Sequence, residues 1–262
     1  MPERAVFGTV YGKSPKQSLS LGWRDDNLTI VNMAIGMKLG AGVENPPMGA
    51  SFLWGLPQMP EFLEYPFCKV PGYEAYPFFF VGQINCAEAA PFDESGLLPQ
   101  KGFLWFFADL DYYLGYTEET VREPGRWDRK AVQVLYSHVG AEELAHEFLT
   151  FPAETEMMPP AARLIIFEKV PDDAPGPRML GLPADPAAGA AFCSAAGETF
   201  STEAAAVTEE TAGEKNSWLP LLQLPGDEDF DGPLFGFYIE RAALKDRKFR
   251  RVEGFLSEGN RG

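Results

Sequence analysis

The sequence predicts an α+β protein, predominantly β, with mixed sheets from two pseudo-symmetric repeats packed into one body beside a few short helices. Three observations carry this expectation. Apolar runs of strand length alternate with glycine- and proline-rich joints, only one stretch shows an apolar stripe at helical spacing, and a proline motif recurs with the same features following it.

Taken in order, residues 18–23 and 28–35 are two β-forming runs around the turn residues Arg24, Asp25, Asp26 and Asn27, which predicts an N-terminal hairpin over about 17–36. Gly36, Gly40, Gly42, Pro46, Pro47, Pro57, Pro60, Pro66, Pro71 and Pro77 then exclude a long helix. Residues 78–84 read as a buried strand, and Asn85 with Glu88 three residues on reads as a reciprocal cap for one helical turn. Residues 103–107, 132–136 and 163–170 are further strands. Residues 141–149 carry Ala141, Leu144, Ala145, Phe148 and Leu149 on one helical face and predict the clearest helix. From 184 to 212 the chain is an Ala-, Gly-, Ser- and Thr-rich excursion with one helix near 202–210, which only Phe192 and Phe200 could anchor to a core. Strands at 218–224, 234–240 and 249–256 close the chain, and the basic run from Arg241 to Arg251 reads as a charged edge strand with its turn.

The 262 residues suit a single domain with internal repeats at about 50–110 and 176–244. A body of this size buries roughly 75% of its extended-chain surface. With 45% hydrophobic residues and 21 Phe, there is enough apolar material for that core. The net charge of −16 repels phosphate backbones and argues against nucleic acid as a partner. No apolar stretch is long enough to span a bilayer. Three cysteines, Cys68, Cys86 and Cys193, show no metal or disulfide spacing, and the N-terminus lacks the apolar segment of a signal peptide. The expected location is cytoplasmic.

The repeat is carried by Gly55-Leu56-Pro57-Gln58-Met59-Pro60 and Gly181-Leu182-Pro183-Ala184-Asp185-Pro186. Each copy is followed by an apolar strand containing a glutamine, Gln83 or Gln223, then by an acidic turn with Gly102 or Gly232, then by an aromatic strand. This ordered set, with Leu98-Pro99-Gln100-Lys101-Gly102 before the first aromatic strand, resembles the YwqG-like family of bacterial domains of unknown function. The resemblance runs from about residue 49 to the C-terminus and departs from the family pattern at Trp54-Gly55 and at Ala187 to Ala191. It implies a predominantly β α+β fold with duplicated halves and no established activity.

Candidate chemistry is sparse. Asp227, Asp229 and Asp231 ahead of Gly232 spell the start of a calcium loop, but the twelfth position is Tyr238 instead of Glu, so an acidic hairpin turn is the simpler reading and calcium the alternative. No other cofactor is indicated. Gly8 to Ser14 ends like a phosphate-binding loop but is one residue short. His138 and His146 are eight residues apart, the wrong spacing for a shared metal, and a pairing of either with a cysteine nucleophile needs spatial convergence. Gln83 and Gln223 end apolar strands, where an amide needs partners. Either they tie down the Gly-Leu-Pro loops, or they face a cleft between the halves with Trp54, Gly55, Pro57, Tyr65, Trp105 and Tyr238 as ligand contacts. Three functional classes follow. The first is a non-catalytic binding or protein-interaction module of regulatory or immunity type. The second is a small-molecule-binding protein with its cleft between the repeats, and the third is an enzyme of undetermined chemistry.

Overall fold

The apolar runs become strands of one twelve-stranded sheet. The computed structural model describes residues 33–68, 76–110, 125–146, 160–184, 189, 192–193, 199–200, 217–225 and 235–257, all within the unit Val31–Gly262. The strands are β1 (Met33–Val43), β2 (Phe52–Leu53), β3 (Phe79–Asn85), β4 (Phe103–Ala108), β5 (Gly125–Trp127) and β6 (Val132–Ser137). They continue as β7 (Ala162–Pro171), β8 (Arg178–Met179), β9 (Thr199–Phe200), β10 (Ser217–Leu224), β11 (Phe235–Glu240) and β12 (Glu253–Leu256). Their spatial order is β5-β12-β11-β10-β8-β1-β7-β2-β3-β4-β6, antiparallel throughout, with β9 added parallel to β10.

At the centre, β1 and β7 pair along most of their length, from Met33 opposite Pro171 to Val43 opposite Ala162. Each then pairs outward with a two-residue strand: β1 with β8, and β7 with β2. Residues 33–43 therefore form one long strand. The glycines read as joints lie inside it because backbones approach closely there: a Cβ on Gly36 would come within 2.7 Å of Val170. The far ends of the sheet are β5 and β6, consecutive in the chain and joined through residues 128–131. Packing brings these edges near each other, since a Cβ on Gly254 of β12 would meet Val132 of β6 at 2.7 Å. The sheet is thus nearly closed, and Phe106 of β4 meets Phe237 of β11 edge-to-face at 5.1 Å inside it. That interior is the main core, with Ile35, Leu53, Val81, Phe167, Met179, Leu221 and Leu222 among its members.

The helices are few. α1 (Cys86–Ala89) is capped by Asn85, whose side chain accepts from the Ala87 N–H. The expected reciprocal bond from Glu88 is replaced: the Asn85 N–H donates to Ser51 Oγ at 2.9 Å, and Glu88 accepts from the Ser51 N–H at 3.1 Å. The helix expected over 141–149 is absent from its described part. Ala141–Glu143 make one 3-10 turn, Leu144 is extended, and Ala145–His146 pair with Gln58–Met59. Strand partners and the burial of Leu144 override the helical stripe. The basic run is likewise no edge strand. It is the short helix α2 (Arg241–Lys245) followed by a 3-10 turn at Phe249–Arg251, so the last strand begins only at Glu253.

Two chain reversals position the interior polar groups. Trp54 and Gly55 have φ of 65° and 71°, and Leu180 and Gly181 have φ of 59° and 78°. Left-handed backbone at Trp and Leu is costly. It is held by the Trp54 N–H on Val81 O (3.1 Å) and the Leu180 N–H on Pro220 O (3.0 Å). The glycines also lie tight against the central strands, where a Cβ would meet Ala162 of β7 at 2.8 Å or Ala34 of β1 at 2.7 Å. Gly55→Ala and Gly181→Ala are each expected to lower stability by about 1–3 kcal/mol, read as a reduced urea midpoint at unchanged m-value.

Candidate functional site

Of the buried polar side chains among the described residues, Ser51, Gln58, Gln83, Arg178 and Gln223 gather at these two reversals, and Asp109 lies apart at the end of β4. In the first, Gln58, Gln83 and Ser51 are all buried. The Gln83 Oε1 accepts from the Gln58 backbone N–H (3.0 Å) and from Trp105 Nε1 (3.1 Å), while its Nε2 donates to Ala50 O (3.0 Å) and Gln58 Oε1 (3.3 Å). The Gln58 side chain accepts from the Gly49 N–H at 2.7 Å and donates to the carbonyls of Pro46 (3.0 Å) and Pro47 (3.3 Å). Trp105 Nε1 also donates to Gln58 O at 2.8 Å. Both amides thereby use their whole capacity of two donors and two acceptor sites.

The second reversal repeats the arrangement with fewer members. Gln223 Oε1 accepts from the Ala184 N–H, and Nε2 donates to Leu180 O (3.3 Å) and Leu182 O (2.9 Å). Ala184 stands three residues beyond Gly181, as Gln58 stands three beyond Gly55. The registers agree as well. Gln83 lies opposite Phe52 and Trp105; Gln223 lies opposite Arg178 and Gly236. Each strand is bulged two residues before its glutamine, between Phe80 and Gly82 in β3 and between Pro220 and Leu222 in β10.

Residues 51–254, the stretch that holds both arrangements, match the family described as a domain of unknown function (DUF1963). The chain belongs to this family. No curated protein matches the sequence.

Within this DUF1963 domain the other expected contacts fall into separate apolar groups. Trp54 is buried in the main core, tilted against Phe79 at 5.8 Å. Tyr65 and Trp105 belong to a second group with Phe52, Phe80, Phe103 and Phe107. The Tyr65 hydroxyl donates to Phe78 O at 2.7 Å and its ring meets Phe107 edge-on at 5.0 Å. Pro57 is buried and Gly55 half-buried between them. Tyr238 belongs to a third group, stacked on Phe192 at 4.7 Å beside Trp218. Phe192 therefore anchors the alanine-rich excursion, and Arg126 covers it with its guanidinium 4.4 Å from the ring centroid. Asp227, Asp229, Asp231, the phosphate-loop lookalike and the helix expected near 202–210 lie outside the described residues.

Titratable groups add little catalytic geometry. His138 and His146 are exposed, whereas Cys86 and Cys193 are buried. Burial pushes the Cys86 thiol up to about 12, against a smaller opposing pull from Arg247, which keeps Cys86 protonated and non-nucleophilic at neutral pH. Among the described residues no three His, Cys, Asp or Glu side chains gather as a metal site. Sequence reading passed over two residues that matter. Gln58 stands inside the quoted motif, where its buried amide was the available signal. Arg178 sits three residues before Gly181, a position at which only alignment with Phe52 makes a cation conspicuous.

Gln83→Leu is expected to cost about 2–4 kcal/mol, because it strands the Gln58 N–H and removes an acceptor from Trp105, and Gln223→Leu about 1–3 kcal/mol. Thermal unfolding of both variants, with a Gln83/Trp105 double-mutant cycle, checks the ranking. The raised Cys86 value has a sign. The unfolded thiol loses its proton near 9 and the folded one near 12, so Cys86 favours the fold below pH 9 and that contribution fades between 9 and 12. Cys86→Ala should flatten the alkaline loss of stability, measured as urea midpoints across pH 8–11.

Proposed function

We propose that this DUF1963 domain is a non-catalytic binding module, cytoplasmic and of regulatory or immunity type, that engages a basic protein surface. One observation carries the reading: large apolar side chains stand in water on the segment the Gln58–Gln83 network holds. Phe62 is 66% exposed, Phe67 47% and Met48 42%. Such side chains, close in sequence to the exposed carboxylates Glu44, Glu61 and Glu64, have the composition of a protein-binding surface. The network supports the reading because a recognition surface on a rigid base loses little entropy on binding. The net charge of −16 supports a basic partner, steered by long-range attraction.

Duplication accounts for the matched registers of the two reversals, and we take the chain as two copies of one ancestral unit, in keeping with its YwqG-like motifs. The buried free thiol of Cys86 accords with a reducing compartment.

Affinity capture from a lysate of the source cells, with wild-type protein and Phe62→Ser as baits, tests the module. The variant should lose its principal partner roughly tenfold or more, as for an aromatic hot spot, with an unchanged melting temperature because the ring is mostly exposed. Capture should also weaken as salt is raised toward ~0.5 M. Undiminished capture by Phe62→Ser at every salt concentration removes the basis for the proposal.

A further inference from the structure

The second reversal carries a charge where the first carries a ring. Arg178 occupies the position opposite Gln223 that Phe52 occupies opposite Gln83. On the neighbouring strand, Gly236 stands where Trp105 stands. One half thus fills this face of the sheet with two aromatic rings and seals it with the Trp105 indole on Gln58 O and Gln83 Oε1. The other half offers a guanidinium beside a residue without a side chain. The Tyr238 ring leans over that glycine, at 2.7–3.0 Å from where a Cβ would be.

Arg178 is only 2% exposed. Its guanidinium makes one long bond, Nη2 to Leu182 O at 3.3 Å, and its buried Nε has no partner. Among the described residues no carboxylate forms an ion pair with it. Burial pushes its ionisation below the usual guanidinium range, which Asp172, Asp173 and Tyr238 oppose only through space. The nearby Gln223 amide gives both N–H groups to Leu180 O and Leu182 O and accepts from the Ala184 N–H, and none of its bonds is to the guanidinium. A buried cation left this incomplete is among the most expensive features a fold can carry, and a guanidinium is the side chain best shaped to take two oxygens at once.

We propose that Arg178 is the recognition group of a ligand site in the second half, and that its ligand is a small molecule bearing an oxyanion, carboxylate or phosphate, that accepts from Nε. The depth of the guanidinium favours a small anion over a side chain of a docking protein, and the site is separate from the Phe62 surface.

Thermal unfolding and titration calorimetry of the full chain test this with two probes, inorganic phosphate and succinate, against sodium chloride at matched ionic strength. At ~100 times its dissociation constant, the accepted probe should raise the melting temperature by about 5–10 °C. Which probe acts separates the phosphate from the carboxylate source. Arg178→Met should abolish the shift and, without ligand, melt no lower than wild type, because it replaces an uncompensated charge with an apolar chain of similar length. Should that variant fail to fold, Arg178→Lys serves: it keeps the charge but loses the planar fork, so binding should weaken at least tenfold. The proposal is overturned if neither probe shifts wild-type melting or gives heat beyond the chloride control. It is equally overturned if the shift persists in Arg178→Met, or is undiminished in Arg178→Lys.

Discussion

A buried glutamine accepting the N–H three residues past a left-handed glycine is the interaction on which the rest of this fold depends. Each reversal turns a two-residue strand, β2 or β8, away from the sheet with a bulky residue at positive φ. Such backbone stays in place only where its surroundings over-determine it. The amide supplies that determination from the neighbouring strand. Its oxygen fixes the outgoing loop, at Gln58 N or Ala184 N, and its nitrogen fixes loop carbonyls, Ala50 O or Leu180 and Leu182 O. A hydrophobic side chain would fill the same volume but leave these groups without partners in a dry interior, the asymmetry that makes buried polar groups expensive to break.

The second constraint is the crossing of the central strands. β1 precedes β2 in the chain yet pairs with β8, and β7 precedes β8 yet pairs with β2. Each of these long strands places an alanine under the left-handed glycine that follows the short strand it pairs with, Ala34 under Gly181 and Ala162 under Gly55. Neither long strand pairs with the short strand that follows it in the chain. The contact of Phe106 with Phe237 then joins the two aromatic strands across the interior, so the single core is a consequence of the pairing order.

Much of this was legible in the residues, and for identifiable reasons. Strands β3, β4, β10 and β11 announced themselves as nearly continuous apolar runs between breakers, because strands buried on both faces need no alternation, whereas β6 and β7 show the alternation of half-buried strands. The paired Gly-Leu-Pro motifs pointed to Gln83 and Gln223 because an amide on an apolar strand must find partners. Other features depended on tertiary context. The glycines of β1 look like joints until the close approach of Val170 is known. The stripe from Ala141 to Leu149 is a good local helix pattern, overridden where Ala145–His146 meet Gln58–Met59. The basic run reads as an edge because edges carry charge, but the edges here are β5 and β6, and Arg247 instead donates to the carbonyls of Leu97 and Leu98.

Where the two reversals differ is more informative than where they agree. Stability alone favours the arrangement at the first, in which Trp105 satisfies its own N–H and covers both glutamine groups while Phe52 packs in the same apolar group. The second reversal has the same glutamine, glycine, register and bulge, so its backbone is held in the same way. At the two positions that flank the glutamine it has Arg178 and Gly236, where the first has Phe52 and Trp105. The Tyr238 ring lies over Gly236, 2.7–3.0 Å from where a Cβ would be, and Arg178 is a buried cation with one long hydrogen bond to Leu182 O. The hydrogen bonds of Gln223 do not use the guanidinium, so its burial costs stability with little structural return, and that imbalance is what singles out this face of the sheet as the place to look for a ligand.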